Sequence, residues 1–166
     1  MSVVVRREES EELSSTCLVV ASPDEAHDVA LDFSTRRWPS LSIDPYDTAL
    51  HVLVAHLTSR TLQEVFASLH DLTPKLEGAE TAEPWDERFW VACVHQLPDD
   101  YITAVVNIQD NAIPAIVAWW YGIEELTWSR RRAHNFTEQA VGEDFRRIRD
   151  FLGAAAKQSV LMRLST

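Results

Sequence analysis

In the first half of the chain, apolar runs are followed by stretches in which apolar residues recur with helical spacing. Ser22-Pro23-Asp24-Glu25 has the residues of a capping box and predicts a helix that begins at residue 23. Apolar positions three and four apart continue to Phe33, and the helix should end before Trp38-Pro39. A second start signal, Thr61-Leu62-Gln63-Glu64, predicts a helix that continues to about Leu72.

The segment between these two helices carries two conflicting patterns. The even-numbered positions from Thr48 to Val54 are apolar or β-branched, as in a strand, whereas Asp44-Pro45-Tyr46-Asp47 is typical of a helix start. Val52 and Val54 favour the strand, which is the prediction we adopt for residues 48–57. With the apolar run Leu18–Ala21 as a strand, the first half has the order β-α-β-α.

In the second half, the apolar period changes from helical spacing to alternation. Residues 73–87 contain two prolines and a glycine among acidic residues and predict a loop. Phe89–Gln96 is apolar on both faces, and every second residue from Ile102 to Ile108 is apolar. Turn-forming residues separate these runs, so we expect a three-stranded antiparallel meander that ends near Tyr121. Pro114 would place the third strand at an edge, or lie at its start.

The remaining residues predict a short helix over residues 123–132 and a long helix from about Thr137 to Lys157. The long helix has an apolar stripe of Val141, Phe145, Ile148, Leu152 and Ala155. The complete pattern predicts a single α+β domain over residues 16–166, in the order β-α-β-α-β-β-β-α-α. Its sheet would be mixed, with about five strands and a C-terminal antiparallel meander, and its helices would pack mainly on one face. Residues 1–15 would form a flexible acidic N-terminal segment.

Composition and charge limit the classes of function. The chain has 166 residues, a formal net charge of -11 and a pI near 4.9, so the phosphate backbone of nucleic acids would repel it. No apolar run reaches the roughly 20 residues that cross a bilayer, and the first residues lack the apolar core of a signal peptide. Cys17 and Cys93 have no metal-ligand spacing and indicate a reducing compartment. We therefore expect a cytoplasmic protein, or a nuclear one in a eukaryote, that contacts neither membrane nor nucleic acid.

Motifs of catalysis and cofactor binding are absent from the sequence. The four glycines are scattered, which excludes a glycine-rich phosphate loop, and neither His-Glu-x-x-His nor Gly-x-Ser-x-Gly occurs. Cys93 and His95 would lie on one face of a strand, where an imidazole can activate a thiol, and they are the candidate catalytic residues. An ordinary buried cysteine beside a histidine has the same pattern. We therefore expect no metal and no cofactor.

The most unusual segment is "AWWYGIEELTW", which contains Trp119, Trp120 and Trp128 and is followed by Arg130, Arg131 and Arg132. If Trp119 and Trp120 are consecutive strand residues, they face opposite sides of the sheet, so one should lie in the core and the other outside. Trp85 and Trp90 flank the same predicted sheet and could extend an aromatic patch. Tryptophan is enriched at binding hot spots, but a well-filled core with one exposed ring would give the same pattern.

These features favour a non-enzymatic protein-binding module, either a subunit of a larger assembly or an acidic inhibitor of a basic partner. A protein partner or a second copy of the chain would bind at the tryptophan-rich segment. A small cofactor-independent enzyme or ligand-binding protein is the alternative. Its pocket would lie between sheet and helices, lined by Trp90, His95, Tyr101 and Trp120. A third hypothesis is that the arginine clusters, residues 130–132 and 146–149, bind a phosphate or acidic segment.

Overall fold

The computed structural model of the protein describes residues 16–43, 46–83, 91–126, 136–155 and 157–165. The strands in these ranges are β1 (Thr16–Val20), β2 (Ser40–Ser42), β3 (His70–Asp71), β4 (Cys93–Gln96) and β5 (Val160–Leu164). The α-helices are α1 (Ala26–Leu31), α2 (Asp47–Thr58), α3 (Leu62–Ser68), α4 (Asp99–Val106), α5 (Ile113–Tyr121) and α6 (Glu138–Ala154). Short 3-10 turns precede α1 and α5, and another covers Ala79–Thr81.

The five strands form one sheet in the order β2-β1-β5-β4-β3. β5 lies at the centre, where it pairs with β1 on one side and with β4 on the other. Met162 in β5 lies opposite Leu18 in β1 and opposite His95 in β4. Because paired residues point to the same side of a sheet, these three side chains share one face.

Most of the helices cover that face. Leu18 and Met162 belong to a core that also contains buried residues of α2, α4, α5 and α6. Val19 and Leu161 point to the opposite face, where they pack with α1 and with Trp38. The chain is therefore an α+β domain with a five-stranded sheet and helices mainly on one face, as the sequence predicts.

Residues 48–57, predicted as a strand, form most of α2. The buried residues Leu50, Leu53 and Val54 recur three and four positions apart, so the helical period prevails over the alternation. Asp47 lies in the first turn, where a carboxylate interacts favourably with the helix dipole. The competing start signal was therefore the correct one.

The predicted meander is wrong beyond β4, because its second and third strands are α4 and α5. Asp99 and Asp100 occupy the first turn of α4, and the buried residues Tyr101 and Val105 follow with helical spacing. In α5, Pro114 lies in the first turn, where its missing N–H breaks no hydrogen bond. A proline that suggested an edge strand is thus part of a helix start.

Two predictions about the sheet are wrong. β5 was not predicted, and the sheet was predicted to be mixed, whereas every described strand pair is antiparallel. Val160, Leu161 and Met162 are fully buried, as expected for a central strand with helices on one side and α1 on the other. The run is short and directly follows α6, so it has the appearance of the end of a helix. This omission removed the central strand from the predicted order.

Several local predictions are confirmed. The backbone N–H of Ser22 donates to Glu25 Oε2 over 2.9 Å, and that of Thr61 donates to Glu64 Oε2 over 2.7 Å, so both capping boxes form. The helix predicted after Thr61 forms, but it ends at Ser68 rather than at Leu72, because β3 begins at His70. The apolar stripe predicted for the long helix is buried at Val141, Phe145, Ile148 and Leu152 in α6 and at Ala155, which follows its last residue.

Some predictions fall on residues outside the described ranges. They concern the N-terminal segment 1–15, the end of the predicted loop with the start of the next strand at residues 84–90, and most of the short helix at residues 127–132. None of the helices in the described ranges combines the length and apolar character needed to span a bilayer.

Candidate functional site

The two consecutive tryptophans of α5 have different environments. Trp120 is fully buried, and its Nε1 donates to the backbone oxygen of Ala49 in α2 over 2.7 Å. Its ring packs edge-on against Phe145 at a centroid distance of 6.0 Å. Trp119, in contrast, is 36% exposed to solvent. One ring is therefore core and the other lies outside, as predicted, although the reason is the 100° rotation per helical residue rather than the alternation of a strand.

The exposed Trp119 ring rests on His56, near the end of α2. The two rings are nearly parallel, with a centroid distance of 3.8 Å and an interplanar angle of 17°. His56 is itself exposed, so the pair forms a flat aromatic surface. Because stacking restricts the rotation of the indole, the ring is held in one orientation before any partner arrives.

The outer face of α5 has no charged side chain. Its exposed residues are Pro114, Ala115, Ala118 and Trp119, and the exposed Gly122 follows its last residue. No charged residue occurs between Asp110, which precedes α5, and Glu124, which follows it. Both of these carboxylates are exposed. The surface is therefore an uncharged stripe with one large ring among small residues and an acidic residue beyond each end.

Two of the other predicted binding residues lie in the core, and six fall outside the described ranges. Tyr101 and Trp120 are both fully buried and belong to the main core. Trp85, Trp90, Trp128 and Arg130–Arg132 lie outside the described residues. Of the nine predicted binding residues, Trp119 is thus the one that the described structure places at the surface.

The arginines of α6 make local contacts. Nη1 of Arg146 donates to the backbone oxygen of Gly142, and Arg147 lies 3.4 Å from the Asp144 carboxylate. Arg149 lies 2.6 Å from Asp110. Each guanidinium of this cluster therefore already has an acceptor, which leaves the phosphate hypothesis without support from α6.

Cys93 and His95, the candidate catalytic pair, lie on one face of β4 and are both partly exposed. Directly opposite His95 in the neighbouring strand is Asp71, whose Oδ1 lies 3.8 Å from His95 Nδ1. Hydrogen bonds from Thr73 hold the pKa of Asp71 below its usual range. No described residue forms a hydrogen bond with the buried Nδ1 of His95. Asp71 was missed because the pairing of β3 with β4 has no local signal.

A second histidine, His51, lies in the core where α2 contacts α4. His51 in α2 is buried, and its Nδ1 lies 2.9 Å from the hydroxyl of Tyr101. The partly exposed Phe66 ring of α3 lies 4.8 Å from the imidazole. The described residues contain no group of three or more histidine, cysteine, aspartate or glutamate side chains that could hold a metal ion. The His51–Tyr101 pair is a buried polar contact in the core.

Comparison of the chain with known protein families, with curated proteins and with solved structures finds no match.

Proposed function

We propose that this protein is a non-enzymatic protein-binding module that contacts its partner through the outer face of α5. The observation that carries the proposal is the exposed Trp119 ring, stacked on His56 at the centre of an uncharged helix face. Tryptophan is over-represented among residues that dominate binding energies, because a large rigid ring loses little conformational entropy when it is buried. The small side chains around it leave the ring accessible to a pocket.

The partner is a protein that presents an apolar pocket with basic residues around it. The chain has a net charge of -11, and the exposed residue Glu124 lies just beyond one end of the apolar stripe. Two copies of the chain would repel each other at long range, whereas a basic partner is attracted. This chain would bind such a partner either as a subunit of a larger assembly or as an acidic inhibitor of a basic protein.

The experiment compares co-purification of the affinity-tagged protein from its native host with that of two matched variants. Trp119→Ala removes the exposed ring of α5, and Leu31→Ala removes an exposed apolar side chain of α1, which lies on the other face of the sheet. We expect one or more basic proteins to co-purify with the unchanged chain and with Leu31→Ala. With Trp119→Ala the affinity should fall by about 30-fold or more, equivalent to about 2 kcal/mol.

The rate of association should also fall steeply as salt is added, because attraction between opposite charges accelerates encounter. The proposal is contradicted if no protein co-purifies with the unchanged chain. It is also contradicted if Trp119→Ala binds the partner as tightly as the unchanged chain does.

A second candidate function, a cofactor-independent enzyme or ligand-binding protein, has one observation in its favour: Asp71 lies opposite His95, with Cys93 on the same face. Its proposed pocket receives less support, since Tyr101 and Trp120 are core residues. Incubation of the protein with a panel of activated esters, followed by mass spectrometry, would test it. Acylation of Cys93 that disappears in His95→Gln would favour this function over binding alone.

A further inference from the structure

A groove of about 530 Å³ lies between α4 and the turn that leads into β5. Three segments form it: the end of β4, one side of α4, and residues 157–159. The α4 residues that line it, Asp99, Ile102, Thr103 and Val106, are spaced three and four apart and so share one side of the helix. Its volume falls within the range of about 300–1,000 Å³ that is typical of small-molecule sites.

The lining of the groove combines an apolar part with a polar rim. Leu97, Ile102 and Val106 supply the apolar part, and the first two are almost fully buried. Seven polar residues supply the rest: Gln96, Asp99, Thr103, Asn107, Lys157, Gln158 and Ser159. Within the ranges that the structure describes, none of these seven side chains forms a hydrogen bond with another residue. Their hydrogen-bonding capacity is therefore available to a ligand.

Two charged residues from different segments line the groove. Asp99 belongs to α4 and Lys157 to the turn before β5, and in the described structure neither takes part in an ion pair. Elsewhere in the protein opposite charges are in contact, as in Arg37–Asp28 at 2.7 Å and Arg60–Asp100 at 3.1 Å. The Lys157 ammonium and the Asp99 carboxylate are thus both available to pair with the charges of a ligand.

We propose that this groove binds a zwitterionic amino acid with an apolar side chain. The ligand carboxylate would pair with Lys157, its ammonium with Asp99, and its side chain would lie on Val106 and the exposed part of Ile102. A ligand of zero net charge suits this protein, because the overall charge of -11 repels free anions such as phosphate. Only a ligand with both charges can pair with Asp99 and Lys157 at once.

The test is isothermal titration calorimetry of the full chain with L-leucine, L-methionine and L-phenylalanine. N-acetyl-L-leucine, which lacks the ammonium, and L-leucinamide, which lacks the carboxylate, identify the two contacts. We expect at least one of the three amino acids to bind, and each modified leucine to bind the unchanged chain about tenfold more weakly than leucine does, the usual loss for a hydrogen bond to a charged group.

Two variants assign the contacts to their residues. In Asp99→Asn, acetylation of the ligand should have little further effect, and in Lys157→Gln, amidation should have little further effect, because each variant has already lost the matching charge. Asp24→Asn and Lys75→Gln, which change exposed charges elsewhere on the surface, should bind as the unchanged chain does. If none of the three amino acids binds, or if the modified leucines bind the unchanged chain as well as leucine, the proposal is wrong. Thermal unfolding of each variant verifies that it is folded.

Discussion

The hydroxyl of Tyr101 lies 2.9 Å from Nδ1 of His51, and both side chains are buried between sheet and helices. Burial lowers the pKa of His51 to about 4; the carboxylate of Asp47 opposes this shift and His95 adds to it. The imidazole is therefore neutral at pH 7. A neutral imidazole and a hydroxyl can each donate or accept, so the pair satisfies two polar atoms that water cannot reach.

The first prediction concerns this contact. Tyr101→Phe leaves Nδ1 of His51 buried without its partner, so we expect a loss of about 1–3 kcal/mol in the free energy of unfolding. His51→Leu leaves the hydroxyl of Tyr101 unsatisfied in the same way. Because the double variant removes both polar groups together, its loss should be at least about 1 kcal/mol smaller than the sum of the two single losses. Urea denaturation of the four proteins measures the cycle, and strictly additive losses would show that the contact contributes nothing.

The second prediction is a pH dependence that His51 causes. The ordinary pKa of 6.5 applies to the unfolded chain, and the value in the folded protein is about 4. The folded state therefore binds fewer protons between these values, and acid favours unfolding. Stability should fall as the pH decreases from about 6.5 to about 4, by about 3 kcal/mol in total at about 1.4 kcal/mol per pKa unit. At pH 7 and above, this contribution to the pH dependence vanishes.

The matched control is His27→Leu, since the side chain of His27 is 65% exposed. His51→Leu should flatten the stability curve between pH 6.5 and pH 4.5, and His27→Leu should leave it steep. Hydrogen bonds lower the pKa of Glu25 and Glu64 from 4.5 and that of Asp71 from 3.8, so these groups lose their stabilising effect only at still lower pH. Parallel curves for the two histidine variants would exclude His51 as the cause.

Local signals in this sequence predicted local structure, and long-range pairing decided the rest. The capping boxes at Ser22 and Thr61 are read correctly because both partners lie within four residues. The residues from Tyr101 to Ile108 fit both periods, since β-branched side chains favour a strand while Tyr101, Ile102 and Val105 have helical spacing. A choice between the two periods requires knowledge of which face meets the sheet. That face is defined by β5, from the far end of the chain.

The same limit applies to the candidate sites. The prediction that one of Trp119 and Trp120 is exposed survives the change from strand to helix, because in either element neighbouring residues point in different directions. The partners of these rings do not follow from sequence: His56 is 63 positions from Trp119, and Ala49 is 71 positions from Trp120. Asp71 and His95 meet only through strand pairing. Helical or strand period can assign a residue to a face but cannot identify what covers that face.

The third prediction compares two glycines. A Cβ on Gly142, in the second turn of α6, would meet Val117 at 3.5 Å and Arg146 at 3.6 Å, which are ordinary contacts. Gly142→Ala should therefore raise the free energy of unfolding by about 0.5–1 kcal/mol, because alanine loses less backbone entropy in a helix. Gly78 has a φ of 85°, so Gly78→Ala should destabilise the fold by about 1 kcal/mol or more. Opposite shifts in the thermal midpoint are expected, and a destabilised Gly142→Ala would mean that α5 and α6 pack too closely for a methyl group.

The last prediction separates the two tryptophans of α5 by stability alone. Trp120 is fully buried and donates a hydrogen bond to Ala49, so Trp120→Ala should reduce the free energy of unfolding by about 3–5 kcal/mol through a cavity and lost burial. Trp119 is 36% exposed and contacts His56 at the surface, so Trp119→Ala should change it by about 1 kcal/mol or less. His56→Ala removes the ring beneath Trp119 and should also have a small effect. Denaturant unfolding of the three variants measures these values. If Trp119→Ala proves as destabilising as Trp120→Ala, the outer face of α5 is part of the packing of the domain, and the proposed binding surface would have to lie elsewhere.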